Sequence, residues 1–192
     1  MIGLIVEEIL LQGGEILAMR EAKEFYLWLI GEMRKKVNIA TNGVLINDEW
    51  ADSLILGSNS IAISVNAATK RTHETVNRGS DFDKVIDNIK KLVSKKCSTG
   101  AAAGIIFHYT IVPENVDEIA DAIELADSLG CDAINYGYSD SVPSFLEENG
   151  ELRDKLKDTL MGLIRSRDFK VRIALDRLEL LGVYPKLRCS AG

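Results

Sequence analysis

Short apolar runs and longer stretches with an apolar residue at every third or fourth position take turns along this chain. Val6 to Gln12, Val37 to Thr41, Ser60 to Val65, Gly104 to Val112, Asp132 to Tyr136 and Lys170 to Leu175 have the length and content of strands. The intervening stretches carry the helical period. Glu21 to Lys36 predicts a helix with Ala22, Phe25, Leu29 and Met33 on one face, and Asn47 caps a second helix, with Asp48 and Glu49 in its first turn and Trp50 and Leu54 inward. Ser80 and Asp83 read as a capping box for a third helix, whose Phe82, Val85, Ile86, Ile89 and Val93 form the apolar stripe. A fourth starts after Pro113 with Val116, Ile119, Ala120 and Ile123 and stops at Gly130. Leu152, Leu156, Leu160 and Leu163 mark a fifth, a short helix follows Leu175, and the segment between Asn66 and Ser80 reads as a polar connection.

Strands alternating with helices at this spacing predict an α/β fold with a parallel sheet, outer helices and right-handed crossovers. In such a sheet every strand ends on the same side. Gly13-Gly14-Glu15, Thr41-Asn42-Gly43, Ser64-Val65-Asn66 and Asn135-Tyr136-Gly137-Tyr138 are therefore expected to converge. One domain accounts for residues 1–192, with its core over about 4–165 and a C-terminal extension over 166–192.

Composition narrows the partners. At 46% hydrophobic and 27% charged residues the chain has a globular composition, and its net charge of −6 gives no general attraction for nucleic acid or anionic membranes. No apolar run approaches the roughly 20 residues of a membrane span. The start Met1-Ile2-Gly3-Leu4-Ile5-Val6 lacks the basic opening of a secretory signal, so a cytoplasmic protein is expected. Cys97, Cys131 and Cys189 lie 34 and 58 positions apart, which suits separate thiols rather than a disulfide framework or a compact metal motif.

Glycine turns, one acid, amides and hydroxyls at the strand ends suit a small polar ligand carrying an amine and hydroxyls. Glu15 and nearby carbonyls can accept from an ammonium, and Ser64 and Asn66 can serve a ribose or a carboxylate. The same residues also make ordinary turns, because Gly permits left-handed backbone and Asn bonds locally. His108, Tyr136, Tyr138 and the Ser139-Asp140-Ser141 loop are placed on the substrate side, although His108 on an alternating strand serves equally as a core side chain.

Leu11-Gln12-Gly13-Gly14-Glu15, then Thr41-Asn42-Gly43, then Ile63-Ser64-Val65-Asn66, then His73 and Arg78-Gly79 stand in one order along the chain. In that order the sequence resembles the radical S-adenosylmethionine superfamily. The resemblance implies a partial (βα) TIM-like barrel binding S-adenosylmethionine at the strand ends. It implies that Gly13, Gly14 and Glu15 meet the methionine amino group, with Thr41 and Asn42 beside them, and that Ser64 and Asn66 meet the ribose or carboxylate. Arg78 either contacts the cofactor carboxylate or pairs with a surface acid. Val112, Asn115 and Tyr136 correspond to positions bordering the adenine, although Val112 suits a core and Asn115 a helix cap. Asn66 stands where many relatives have Asp, and Ile16 where Pro is common.

By the same resemblance, the family's chemistry rests on a 4Fe-4S cluster held by a Cys-x3-Cys-x2-Cys loop, a reduced cluster driving sulfonium homolysis and hydrogen abstraction by a deoxyadenosyl radical. The three cysteines here form no such loop, so no metal ligand is assigned. The first recognisable element corresponds to the family's second strand, so the first barrel strand and cluster loop are expected to be missing, as in an N-terminal fragment. The parent protein is then an enzyme acting on an unassigned small molecule or peptide, and this chain alone is not competent. The alternatives are a non-catalytic binding or assembly domain of the same fold, or an unrelated βα-barrel lyase. Residues 6–12, lacking an outer partner, are expected to form an apolar sheet edge prone to self-association.

Overall fold

A computed structural model describes residues 6–166 and 168–183 of the chain. Six strands form one parallel sheet: β1 (Glu8–Leu11), β2 (Lys36–Thr41), β3 (Ser58–Ser64), β4 (Gly104–Ile111), β5 (Ala133–Tyr138) and β6 (Arg172–Ile173). Each strand pairs with the one before it in sequence, giving the order β1-β2-β3-β4-β5-β6. Sequential order with every pairing parallel is the winding of an open βα barrel, in which each crossover returns the chain beside the strand it has just left.

The helices are α1 (Ala22–Gly31), α2 (Asp48–Gly57), α3 (Lys70–Val76), α4 (Phe82–Thr99), α5 (Ile119–Leu129), α6 (Val142–Glu148) and α7 (Gly150–Ser166). Alternation along the central strands separates two sheet faces. Val37, Ile39, Ile61, Ile63, Ile105, Phe107, Tyr109 and Ile111 are buried in the core shared with the helices. Asn38, Ala40, Ser60, Ala62, Ser64, His108 and Thr110 lie half-buried on the opposite, concave face. That period-two pattern, apolar on one side and polar or small on the other, is why the strands hold their register.

Several expected elements hold and several shift. Asn47 caps α2, its Oδ1 accepting from the Trp50 amide at 2.8 Å. Gly130, at φ 78°, ends α5 in the left-handed conformation. The first helix is shorter than Glu21 to Lys36 because the chain turns back at Arg34, whose φ is 49°, with the Lys35 amide donating to the Leu29 carbonyl. Its inner face also differs: Tyr26 is buried with Ala22 and Leu29, whereas Phe25 and Met33 are exposed. Tyr26 wins the inward position because its hydroxyl finds partners there, Ser58 Oγ and the Ser53 carbonyl, both at 3.0 Å.

The cap of α4 is Asp81 rather than Ser80. Asp81 Oδ1 accepts from the Lys84 amide at 3.2 Å, and Ser80 is instead drawn to the His73 ring, 2.9 Å away. The polar connection contains helix α3, capped by Thr69, and the loop after β5 contains α6, opened by Pro143 in its first turn. Both helices have seven residues and too few apolar positions to show a period. Val116 opens a short 3-10 helix, Val116–Glu118, ahead of α5, and Leu175–Leu181 is likewise 3-10. Cys189 lies outside the described residues.

Candidate functional site

The concave face is organised in rows by the strand register. Ser64 pairs with His108 and His108 with Asn135, so these three side chains stand in one row across β3, β4 and β5. One pleat nearer the strand starts runs Ala40, Ala62, Ile106, Ala133 and Arg172. The small alanines beneath Ser64 make room. A cleft of about 740 Å³ opens there, reaching from Leu10 and Gln12 on the β1 side to His108 and Asn135.

Gly13, Gly14, Thr41, Asn42 and Ser64 line this cleft. Gly13 has φ 121° and Gly14 φ 52°, and a side chain on either would meet nothing within 4 Å. The pair therefore exposes backbone to the cleft rather than making room for a packed neighbour. Glu15 turns away to brace the turn. Its Oε1 accepts from the Leu17 amide at 3.0 Å and the Thr41 hydroxyl at 2.8 Å, and its Oε2 accepts from the Asn42 amide at 2.7 Å. A carboxylate oxygen accommodates about two donors. Oε2 consequently retains one acceptor position.

Arg78 and Glu15 meet at a second cleft of about 450 Å³, which shares Asn42 with the first. Arg78 is exposed and makes no ion pair among the described residues.

Asn115, Asn66 and Tyr136, among the expected site residues, are committed to the scaffold behind the cleft. Asn115 is fully buried, its Oδ1 accepting from the Val112 amide at 2.8 Å and its Nδ2 donating to the carbonyls of Asn66 at 2.8 Å and Thr110 at 2.9 Å. It does not cap the following helix, which has no side-chain cap bond. Asn66 sits at φ 56°; its Oδ1 accepts from the Thr110 amide at 2.7 Å and its Nδ2 donates to Asn77 Oδ1 at 2.9 Å. Val112 is half-buried. The side chain of Tyr136 lies in the core against Tyr109, ring centroids 6.0 Å apart, so only its backbone borders the concave face.

His73 clamps the turn that carries Asn66. Its Nδ1 donates to the Val65 carbonyl at 2.6 Å, its Nε2 accepts from Ser80, and its ring packs on Phe82. Burial holds its pKa below the ordinary imidazole range, against a smaller opposing effect of the Val65 carbonyl. His108 is also kept neutral by burial. Unlike His73 it has no close partner: Thr110 Oγ1 is 3.5 Å from Nε2, and Gly137 leaves space beside the ring. It is the free titratable group on the cleft floor.

Asn135, His108 and Gln12, all named from the sequence, line the cleft; Ala40 and Ala62, which no strand-end motif selected, line it too. Their signal is the alternation itself, since each occupies an inward, non-aliphatic or small position on a strand or just past its end. Cys97 is exposed near the end of α4, and Cys131 is buried just before β5, its thiol pushed up to about 12 by burial and by Asp132. Both are at the strand-start side, opposite the cleft mouth. Among the described residues no group of three or more His, Cys, Asp or Glu is arranged to hold a metal, and no helix is long and apolar enough to cross a membrane.

The fold is similar to that of Streptococcus suis SuiB in its crystal structure bound to S-adenosylmethionine, with a TM-score of 0.67 at 16% identity over 94% of this chain and 40% of that one. In sequence the chain is 25% identical over 130 residues to a "Probable GTP 3',8-cyclase" of Saccharolobus islandicus, a match covering 68% of this chain. A protein of the same name from Saccharolobus solfataricus is 25% identical over 177 residues, 88% of this chain and 56% of that one. The S. islandicus match spans 41% of the length of the relative. The model of the Radical SAM superfamily matches residues 2–126, a span that takes in β1 and the glycine turn and ends within α5, and with the open parallel barrel around those residues this chain belongs to that superfamily.

Proposed function

We propose that the concave strand-end cleft is a seat for S-adenosylmethionine, and that the chain is the cofactor-binding core of a radical enzyme. The observation that carries the reading is the Gly13-Gly14 backbone, open to the cleft mouth at left-handed angles beside a carboxylate with one acceptor position left. In this reading the methionine ammonium meets Glu15 and the glycine carbonyls. The carboxylate or ribose lies toward Asn42, Ser64 and Arg78. Because the Asn66 side chain is held by Thr110 and Asn77, its contribution is to shape the turn and present backbone. Asn115, Val112 and the backbone of Tyr136 fix the rim in the same indirect way.

The residues fit the organic cofactor, whose sulfonium supplies the reactive carbon in this superfamily. They do not fit a 4Fe-4S cluster. Cys97 and Cys131 are on the wrong side of the sheet, and one of them is buried as an unionised thiol. Thiolate ligation of iron therefore falls to cysteines other than these two. The described residues bind and orient; no redox step is assigned to them.

Titration of the isotope-labelled chain with S-adenosylmethionine, followed by amide NMR, tests the reading. Saturable shifts centred on residues 13–15, 41–42 and 64 are expected, with S-adenosylhomocysteine weaker because it lacks the sulfonium charge. Shifts that miss those residues, or none at saturating cofactor, would exclude this seat.

A further inference from the structure

Resting on the reading of the cleft as an active site, we propose that its far half, over β4, β5 and β6, recognises an anionic group of the substrate, a carboxylate or a phosphate, through Arg172. Register places Arg172 on the concave face, in the row with Ala133, Ile106, Ala62 and Ala40. It lines a third cleft of about 320 Å³ together with Ile106, Ala133, Asn135, Ala174 and Asp176. Asn135 lines the larger cleft as well, so the two adjoin at that residue.

Among the described residues Arg172 is the one Lys or Arg lining either of these two clefts. It has no ion-pair partner among the described residues. The acid that shares its cleft, Asp176, is engaged by Arg177, Nε to Oδ2 at 3.6 Å. The guanidinium thus shares the cleft with an apolar floor of Ile106 and Ala133, and its donors have no acceptor among the described residues. A planar fork of donors over such a floor is suited to bidentate capture of a carboxylate or phosphate.

The position is also rigidly built. The Arg172 amide donates to the Asp132 carbonyl at 3.0 Å, and the preceding amides of Lys170 and Val171 both donate to Asp127 Oδ1 at 2.8 Å and 3.0 Å. Val171 is buried. Strand spacing of about 4.8 Å and a rise of about 3.3 Å per residue put the Cα atoms of Arg172 and His108 about 12 Å apart along the sheet. An anion held at Arg172 therefore leaves the remainder of the substrate lying over Asn135 toward His108, next to the cofactor seat. His108, neutral and without a close partner, is placed to hydrogen-bond that end.

The test uses the 192-residue chain and two simple polyanions, pyrophosphate and succinate, with amide and guanidinium NMR as the readout. Saturable shifts at residues 133–135 and 172–174 are expected with at least one of them, and the tighter binder assigns phosphate or carboxylate as the group. Arg172→Gln should weaken that binding by about tenfold or more, the loss expected for a charge-assisted pair. Arg172→Lys, which keeps the charge but loses the bidentate fork, should bind more tightly than Arg172→Gln and more weakly than the wild type, which guards against a folding artefact in the Gln variant. Arg71→Gln, on the outer surface of α3, should change nothing. Equal affinity in the wild type and Arg172→Gln, or no saturable shift with either anion, overturns the proposal. S-adenosylmethionine titrated into Arg172→Gln should still shift residues 13–15. Failure of the cofactor to bind any variant while anions still bind would remove the cofactor reading and leave the Arg172 assignment standing.

Discussion

The Thr41 hydroxyl at the end of β2 donates to Glu15 Oε1 at 2.8 Å, tying together two strand-end turns that are 26 residues apart in sequence. The same hydroxyl accepts from the Gly43 amide at 3.1 Å, so one buried oxygen holds both turns in place. Glu15 is thus braced before any ligand arrives. Thr41→Val keeps the shape and removes both bonds. It should destabilise the fold by about 1–2 kcal/mol and weaken S-adenosylmethionine binding. Urea unfolding and calorimetric titration measure the two effects; unchanged binding in a folded Thr41→Val protein would show that the brace is not needed for the seat.

Two glycines with similar backbone angles should respond differently to substitution. A Cβ at Gly43, φ 79°, would sit 2.8 Å from Ile63 Cγ2 and 3.3 Å from Val85 Cγ1, whereas one at Gly14, φ 52°, would meet nothing within 4 Å. Gly43→Ala combines left-handed strain with overpacking and should cost about 3 kcal/mol. Gly14→Ala carries the strain alone, about 1 kcal/mol, and its larger effect should be on cofactor binding. Thermal unfolding of the two variants, compared with their affinities, checks the split.

Asn115 is expected to behave as a structural residue. Truncation to Ala strands the Val112 amide and the carbonyls of Asn66 and Thr110 away from their partner. A loss of about 2–4 kcal/mol in unfolding free energy is expected from the unsatisfied buried groups. A loss confined to cofactor affinity, with stability intact, would instead make Asn115 a direct ligand contact.

Acid should weaken the fold before the carboxylates titrate. Burial lowers the pKa of both His73 and His108 in the folded protein. In the unfolded chain each titrates near about 6.5, so the unfolded state binds protons first as pH falls. The stability they support is complete above about pH 6.5 and is lost as pH falls through that value toward the lower folded ones. Urea midpoints measured at about pH 7.5 and about pH 5.5 should differ in that direction, and less in His108→Asn, which removes one of the two titrating groups. A flat profile would contradict the burial of His73.

The fold was largely legible because period-two and period-3.6 patterns are local. Six of six strand positions are recovered within a few residues, down to the two-residue β6, because apolar runs between polar turns leave few alternatives. The two seven-residue helices were missed since neither completes enough turns to show a period. Ser80 looked like a cap by spacing, yet the His73 ring competes for its hydroxyl and leaves the role to Asp81. Of the site, the glycine turn, Thr41, Asn42 and Ser64 do share one cleft.

By itself the sequence determined the alternation of strands and helices, the order of the strand-end triplets and the membership that this order implies. Those properties reside in residues adjacent in the chain or repeated at fixed intervals. Tertiary structure decided which of the polar side chains remain available. Asn66 and Asn115 are consumed by bonds to Thr110, Asn77 and Val112, while His108 and Arg172 are left open on the concave face. That division depends on strand register and on hydrogen bonds between residues as many as 49 positions apart. A buried donor or acceptor takes whatever partner the packing brings to it, and no local pattern encodes that partner.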